Sequence, residues 1–225
     1  MSATPTPTTP TSLGKHPVSP VSPVSLEGRY DTGLSRWLWL VKWVLAIPHY
    51  VVLLFLWIGF VLITFVAFFA VLFTGRYPRL LFDYNVGVLR WSWRVEYYAY
   101  GSLATDRYPP FALADVADYP AHLDIAYPEH LSRGLVLVKS WLLVVPQLIV
   151  AALMAGGYRF NGGLTGLLAF YAGVALLFTG RYPRGMYDLN MGLHRWVARV
   201  LAYGLLLTDV YPPYRLDQGE REPVV

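Results

Sequence analysis

The chain has no cysteine, which excludes disulfides, thiolate metal sites and a cysteine nucleophile. It is also short of charge: 14% of its 225 residues are Asp, Glu, Lys or Arg, against about 25% in an ordinary soluble domain. A glycine-rich phosphate loop, a nucleophile elbow and a Ser/His/Asp arrangement are all missing. None of His16, His49, His122, His130 and His194 has metal-ligand spacing. These absences argue against an enzyme and against a metal or any other cofactor. The first residues lack the basic-then-apolar order of a signal peptide, so membrane insertion is expected to start from an internal span.

Apolar surface is what the chain has in excess. Hydrophobic residues make up 56% of it and the mean hydropathy is +0.42, a composition that calls for a bilayer. The net charge of +4 comes from basic residues that flank apolar runs. There they match anionic headgroups and topology, and no recognition fold accompanies them, so nucleic acid is not an expected partner.

One stretch occurs twice, Phe73-Thr-Gly-Arg-Tyr-Pro-Arg79 and Phe178-Thr-Gly-Arg-Tyr-Pro-Arg184, and 14 of 23 positions agree between Phe73–Val95 and Phe178–Val200. The duplication extends further. Leu26 and Tyr30 pair with Leu123 and Tyr127 at an offset of 97, as do Leu34-Ser35-Arg36 with Leu131-Ser132-Arg133 and Lys42 with Lys139. The offset is 105 at the repeated heptapeptide and 103 at Thr105-Asp-Arg-Tyr-Pro-Pro110 against Thr208-Asp-Val-Tyr-Pro-Pro213. This divides the chain into a Thr/Pro/Ser-rich tail expected to be disordered (1–23), repeat 1 (24–111), a linker (112–120), repeat 2 (121–214) and a C-terminal tail (215–225).

Each repeat reads as three parts. The segments around Leu26 and Leu123 alternate polar and apolar residues, which predicts two short strands that would pair across a pseudo-twofold axis. After Ser35 and Ser132, the plausible N-caps, come the apolar runs. In repeat 2 a turn at Gly156–Gly163 splits the run into spans 134–155 and 163–180. In repeat 1 a break near Trp57-Ile58-Gly59 is expected by analogy, giving 36–57 and 60–75. The third part is an amphipathic helix from Pro78 or Pro183. Gly75 and Gly180 would close the preceding helix in the left-handed conformation, and the proline would start the next.

On these helices Asp83, Gly87, Arg90 and Arg94, and likewise Asp188, Gly192, Arg195 and Arg199, fall within about 60° of one another at 100° per residue. A narrow charged stripe on an apolar helix suits the plane of the membrane interface. With four spans and two in-plane helices, 17 of the 18 Lys and Arg fall on one side, Arg159 alone on the other. The positive-inside rule places that side, with both termini, in the cytoplasm.

The candidate sites follow. Arg76, Arg79, Arg90, Arg94, Arg181, Arg184, Arg195 and Arg199 are candidates for lipid headgroups, since guanidinium matches phosphate with a bidentate fork; the plainer reading is the polar face an interfacial helix needs. Asp83 and Asp188 sit in first turns, where a carboxylate suits the helix dipole. Asn85 and Asn190 lie about 200° from them, where an inter-helix hydrogen bond is expected. Pro48-His49 and Pro146-Gln147 put a polar side chain inside each apolar run. His49 and Gln147 either line a polar path or satisfy backbone groups that the prolines free.

With Leu34-Ser-Arg-Trp-Leu-Trp-Leu-Val-Lys-Trp43, Ile47-Pro-His49, Phe-Thr-Gly-Arg-Tyr-Pro-Arg, Asp83-Tyr-Asn-Val-Gly87, Arg90-Trp-Ser-Trp-Arg94 and Thr-Asp-Arg-Tyr-Pro-Pro-Phe111, the chain resembles a bacterial membrane-protein family, domain of unknown function 4389, common in actinobacteria. The resemblance covers residues 24–214 in two copies. The second copy departs from these motifs at Gly134, Val136 and Ala198, which match Trp37, Trp39 and Trp93. The resemblance implies a multi-pass protein of the bacterial cytoplasmic membrane and carries no activity.

The expected fold is therefore an all-α membrane protein of two tandem repeats with four transmembrane helices. The expected function is a non-enzymatic membrane protein that binds anionic lipid or a protein partner at the cytoplasmic face. A small transporter or channel with a polar path between the repeats past His49 and Gln147 is the alternative, and an enzyme on lipid-linked substrates the third reading.

Overall fold

The computed structural model describes residues 22–155 and 163–220. Most of the N-terminal tail, Arg159 and all of the expected 156–163 turn but Gly163 lie outside them. The elements are β1 (Val24–Gly28), α1 (Trp39–Leu45), α2 (Ile47–Thr74), α3 (Arg79–Ala99), β2 (Ala121–Ile125), α4 (Arg133–Val138), α5 (Val145–Ala155), α6 (Gly163–Thr179) and α7 (Arg184–Gly204), with a turn of wider π-helical pitch at Lys139–Leu143 between α4 and α5.

The two strands pair, antiparallel, with Leu26 opposite Leu123. These leucines are counterparts at the repeat offset, so the pseudo-twofold axis passes through the middle of the ladder. Arg29 N–H donates to Pro120 O and Ala126 N–H to Pro23 O. By the alternation of an antiparallel ladder, the Leu26 and Leu123 carbonyls and the Gly28 and Ile125 N–H groups then point to the outer edges. Val24, Leu26, Leu123 and Ile125 are buried on the inner face, while Ser25 and Asp124 are exposed on the other.

The repeats are crossed over this sheet. Helix α3 packs on α2 and on β2, the strand of the other repeat; α7 packs on α5, α6 and β1. The middle helices are thus enclosed. Phe82, Val86, Leu89, Trp93 and Tyr97 join one core with Tyr187, Met191 and the inward strand residues.

Three expectations change. Helix α2 runs unbroken through Trp57-Ile58-Gly59, about 42 Å at 1.5 Å per residue. Gly59 is a close-packing site instead of a break: a Cβ there would lie 2.6 Å from the Tyr84 hydroxyl oxygen, which donates to Leu56 O at 3.1 Å. Repeat 2 carries its seven additional residues where the offset grows from 98 at Pro48/Pro146 to 105 at Phe73/Phe178. There the counterpart of α2 is divided into α5 and α6, which pack on each other. Ser132 caps α4, accepting from Leu135 N–H, whereas α1 begins only at Trp39 and Ser35 does not cap it.

The third change concerns the stripe helices, which double back along the apolar ones. Asn85 meets Thr64 near the elbow and Tyr100 meets Tyr50 at the far end of α3. The elbow itself forms as expected, with Gly75 at φ 71° and Gly180 at φ 68°, the conformation in which a glycine ends a helix without a Cβ clash. Thr74 and Thr179 back-bond to Ala70 O and Ala175 O at 2.6 Å and accept from the N–H of Arg76 and Arg181.

Gly87 and Gly192 let a returning segment cross the stripe helices. A Cβ on Gly87 would meet Leu113 Cβ at 2.9 Å, but one on Gly192 finds its nearest atoms at 3.4 Å. Gly87→Ala is expected to destabilise by about 1–3 kcal/mol through overpacking. Gly192→Ala is expected to be neutral or to gain up to about 1 kcal/mol of helix propensity. Thermal unfolding in detergent, followed by tryptophan fluorescence, checks both.

Candidate functional site

Helices α3 and α7 aim their stripe arginines at the edges of the sheet. Arg90 Nε donates to Leu123 O at 2.8 Å, Nη1 to Leu113 O at 3.2 Å and Nη2 to Asp124 at 2.9 Å. Its counterpart Arg195 donates to Leu26 O at 2.8 Å and to Asp217 O at 2.6 Å. Each thus takes the outward carbonyl of the strand from the other repeat. One turn on, Arg94 donates to Ala112 O and Ala114 O, and Arg199 pairs with Asp217 at 2.5 Å. Arg94, Arg195 and Arg199 are buried and Arg90 is half-buried. These four were expected to face lipid headgroups, on the polar side of an interfacial helix. The physical reason for the difference is that segments 112–115 and 215–217 close over the stripe and supply the carbonyls that guanidinium needs out of water.

The other four stay exposed at the elbows: Arg76 and Arg79 in repeat 1, Arg181 and Arg184 in repeat 2. Each elbow receives a further arginine from the opposite repeat. A Cβ on Gly75 would lie 3.4 Å from Arg133 Nε, and one on Gly180 2.5 Å from Arg36 Nη2. Arg79 stacks over Tyr127 at 4.6 Å and Arg184 over Tyr30 at 4.5 Å, again across the repeats. The carbonyl ends of α2 and α6 favour positive charge here. Phe73 and Phe178, just before the elbows, are 71% and 78% exposed, so aromatic and cationic groups project side by side.

Of the remaining candidates, Asp83 pairs with Arg79 at 3.1 Å and Asp188 is half-exposed. Asn85 Nδ2 donates to Thr64 at 3.0 Å and to the Tyr77 hydroxyl at 2.8 Å, tying α2, the elbow and α3 together. Asn190 Nδ2 donates to Gly101 O of the other repeat at 2.5 Å. His49 and Gln147 are not brought together. His49 stacks on Phe111 with ring centres 3.9 Å apart and accepts from Trp91 Nε1 at 3.0 Å; Gln147 donates to Pro212 O at 3.2 Å. Each is buried under the Tyr-Pro-Pro segment of its own repeat, and Pro48 sits in the first turn of α2, where it frees no intrahelical bond.

Two features were not anticipated from the sequence. The first is a buried lysine in each repeat. Lys42 Nζ bonds Thr105 O at 2.7 Å and Asp106 at 2.8 Å, with the Tyr98 ring 5.2 Å away. Lys139 does the same with Thr208 O (2.7 Å), Asp209 (2.6 Å) and Tyr203 (5.0 Å). The second oxygen of each carboxylate accepts the N–H of Ser35 or Ser132, at 2.5 and 2.6 Å. The signal was present: Leu-Ser-Arg, the lysine and Thr-Asp recur together in both copies.

The second is a cleft of about 180 Å³ on the axis between α3 and α7. It opens because Trp93 has Ala198 as its counterpart. His194 Nε2 lies 3.3 Å from Gly101 O, while Nδ1 lies 3.6 Å from Glu96. Nearby, Tyr97 and Tyr187 bring their hydroxyls to 3.0 Å, and burial pushes Tyr97 well above the ordinary phenol value, so it stays protonated. No group of three or more His, Cys, Asp or Glu able to hold a metal occurs among the described residues.

Fold and site together define a mostly helical protein of two crossed repeats. Among the described residues one helix, Ile47–Thr74, is long and apolar enough to cross a bilayer, and 17% of its most apolar window is buried, unlike the core helix of a soluble protein. The chain belongs to the family described as Domain of unknown function (DUF4389), which matches it twice, over residues 36–112 and 137–215. Comparison with curated proteins and with solved structures returns no match.

Removing one partner from a buried ion pair leaves an uncompensated charge and costs about 3–5 kcal/mol. Asp106→Leu and Asp209→Leu are each expected to destabilise on that scale. Pairing Asp106→Leu with Lys42→Met is expected to recover more than half of the loss, which a double-mutant cycle of unfolding free energies measures.

Proposed function

We propose that this protein is a non-enzymatic membrane protein that gathers anionic lipid headgroups at its two elbows. The observation that carries the reading is the convergence of three exposed arginines, one from the opposite repeat, at the end of each long apolar helix. In this reading the outward residues of α2 (Val51, Leu54, Phe55, Ile58, Leu62, Phe65) and of α6 (Leu167, Phe170) lie in hydrocarbon. The exposed arginines then stand at the headgroup level, where guanidinium forks phosphate. The elbow arginines face the cytoplasm of a bacterial cell, the side on which positive charge concentrates. The four crossings expected from sequence become two apolar units, α1–α2 and α4–α6, one per repeat.

Each arginine near an anionic surface contributes on the order of 1 kcal/mol, so three per elbow amount to about a hundredfold in affinity. Native mass spectrometry of the detergent-solubilised protein is expected to retain phosphatidylglycerol in preference to phosphatidylcholine. Replacing Arg36, Arg76, Arg79, Arg133, Arg181 and Arg184 by alanine is expected to abolish the preference while leaving thermal unfolding little changed. Equal retention of both lipids by the unaltered protein, or an unaltered preference in the variant, would overturn the reading.

A further inference from the structure

The pseudo-symmetry leaves one groove filled and its counterpart open. In repeat 2 the groove between α7 and the outer edge of β1 holds residues 217–220 of the chain itself. Asp217 O accepts from Arg195 Nη1 at 2.6 Å, Glu220 O accepts the outward Gly28 N–H at 3.2 Å, and the Glu220 carboxylate pairs with Arg184 at 2.9 Å. One backbone hydrogen bond thus ties the segment to the sheet edge, and an arginine reads its acidic side chain.

In repeat 1 the chain turns away after Ala114 to reach β2. The corresponding groove, between α3 and the outer edge of β2, remains open with a volume of about 520 Å³. Its fittings match those of the filled one. Arg79 stacks over Tyr127 as Arg184 does over Tyr30, Arg90 holds the Leu123 carbonyl as Arg195 holds that of Leu26, and Ile125, the counterpart of Gly28, turns its N–H to this edge. One difference is informative. Arg184, in the filled groove, bridges Glu220, whereas Arg79, in the open one, folds back onto Asp83 of its own helix at 3.1 Å.

We propose that the open groove of repeat 1 binds a peptide segment of a partner protein, with a backbone carbonyl on the edge of β2 and an acidic side chain on Arg79. The occupant's chemistry is shown by the chain's own 217–220 segment. This site is separate from headgroup binding at the elbows except that Arg79 borders both, so the two are tested by different probes.

The test uses the full-length protein in nanodiscs of phosphatidylcholine and a fluorescein-labelled heptapeptide with the sequence of residues 214–220, Tyr-Arg-Leu-Asp-Gln-Gly-Glu. Fluorescence anisotropy is expected to show saturable binding at one peptide per chain. Arg79→Glu is expected to weaken it at least tenfold, and a peptide ending in Lys in place of Glu to recover affinity for that variant alone. Arg181→Ala, at the other elbow and outside the groove, is expected to leave it within twofold. Arg79 is 66% exposed, so the charge reversal spares the core, and unchanged thermal unfolding verifies this. Absence of saturable binding, or binding indifferent to Arg79→Glu, would each overturn the proposal.

Discussion

The two repeats are tied together by two guanidinium groups, Arg195 fully buried and Arg90 half-buried. Arg90 and Arg195 sit on enclosed helices, where a cation is tolerated only if its donors are met. A helix interior meets them poorly, because its carbonyls already accept within their own ladder. The outward carbonyls of a two-stranded sheet can meet them, and the sheet exists only if both repeats contribute a strand. The arginines therefore lock each stripe helix to the other half of the molecule, and an isolated two-stranded ribbon, marginal alone, is held by the helices it caps.

What was legible in the sequence follows from local rules. The elbow was read from a glycine followed by a proline, because left-handed backbone and a missing N–H act at one position. The strand pair was read from alternation and from the symmetry of the duplication. The unbroken α2 was not, since Gly59 serves the close approach of Tyr84, a contact set by a residue 25 positions away. The stripes were located correctly on their helices, but whether a polar face meets water or a carbonyl depends on segments 112–115 and 215–217, whose own sequence carries no periodicity. The lysine and aspartate clusters escaped for a related reason: the lysines lie 63 and 69 residues from the threonine carbonyls they meet, and only the joint recurrence of both motifs in the two copies links them.

The repeats have diverged where the symmetry axis would have forced identical groups into contact. Trp93 faces a cleft because its counterpart is Ala198, and two indoles at those positions would compete for one space. His194 and Glu96 stand where the symmetric positions hold Leu89 and Leu201. Divergence also separates the two grooves, one closed by residues 217–220 and one left to the surroundings. Duplication supplied the scaffold, and difference between the copies supplied its chemistry.

The crossing of the repeats also orders events during synthesis. Strand β1 is the first of the elements to leave the ribosome, yet its pairing partner β2 follows about 97 residues later and the arginine that holds Leu26 lies 169 residues on. Helix α2 enters its environment in between. The nascent chain must carry an unpaired strand past an apolar helix, and the short length of β1, five residues, with an exposed Ser25 and a charged Glu27 on its outer face, keeps that strand from pairing elsewhere while it waits.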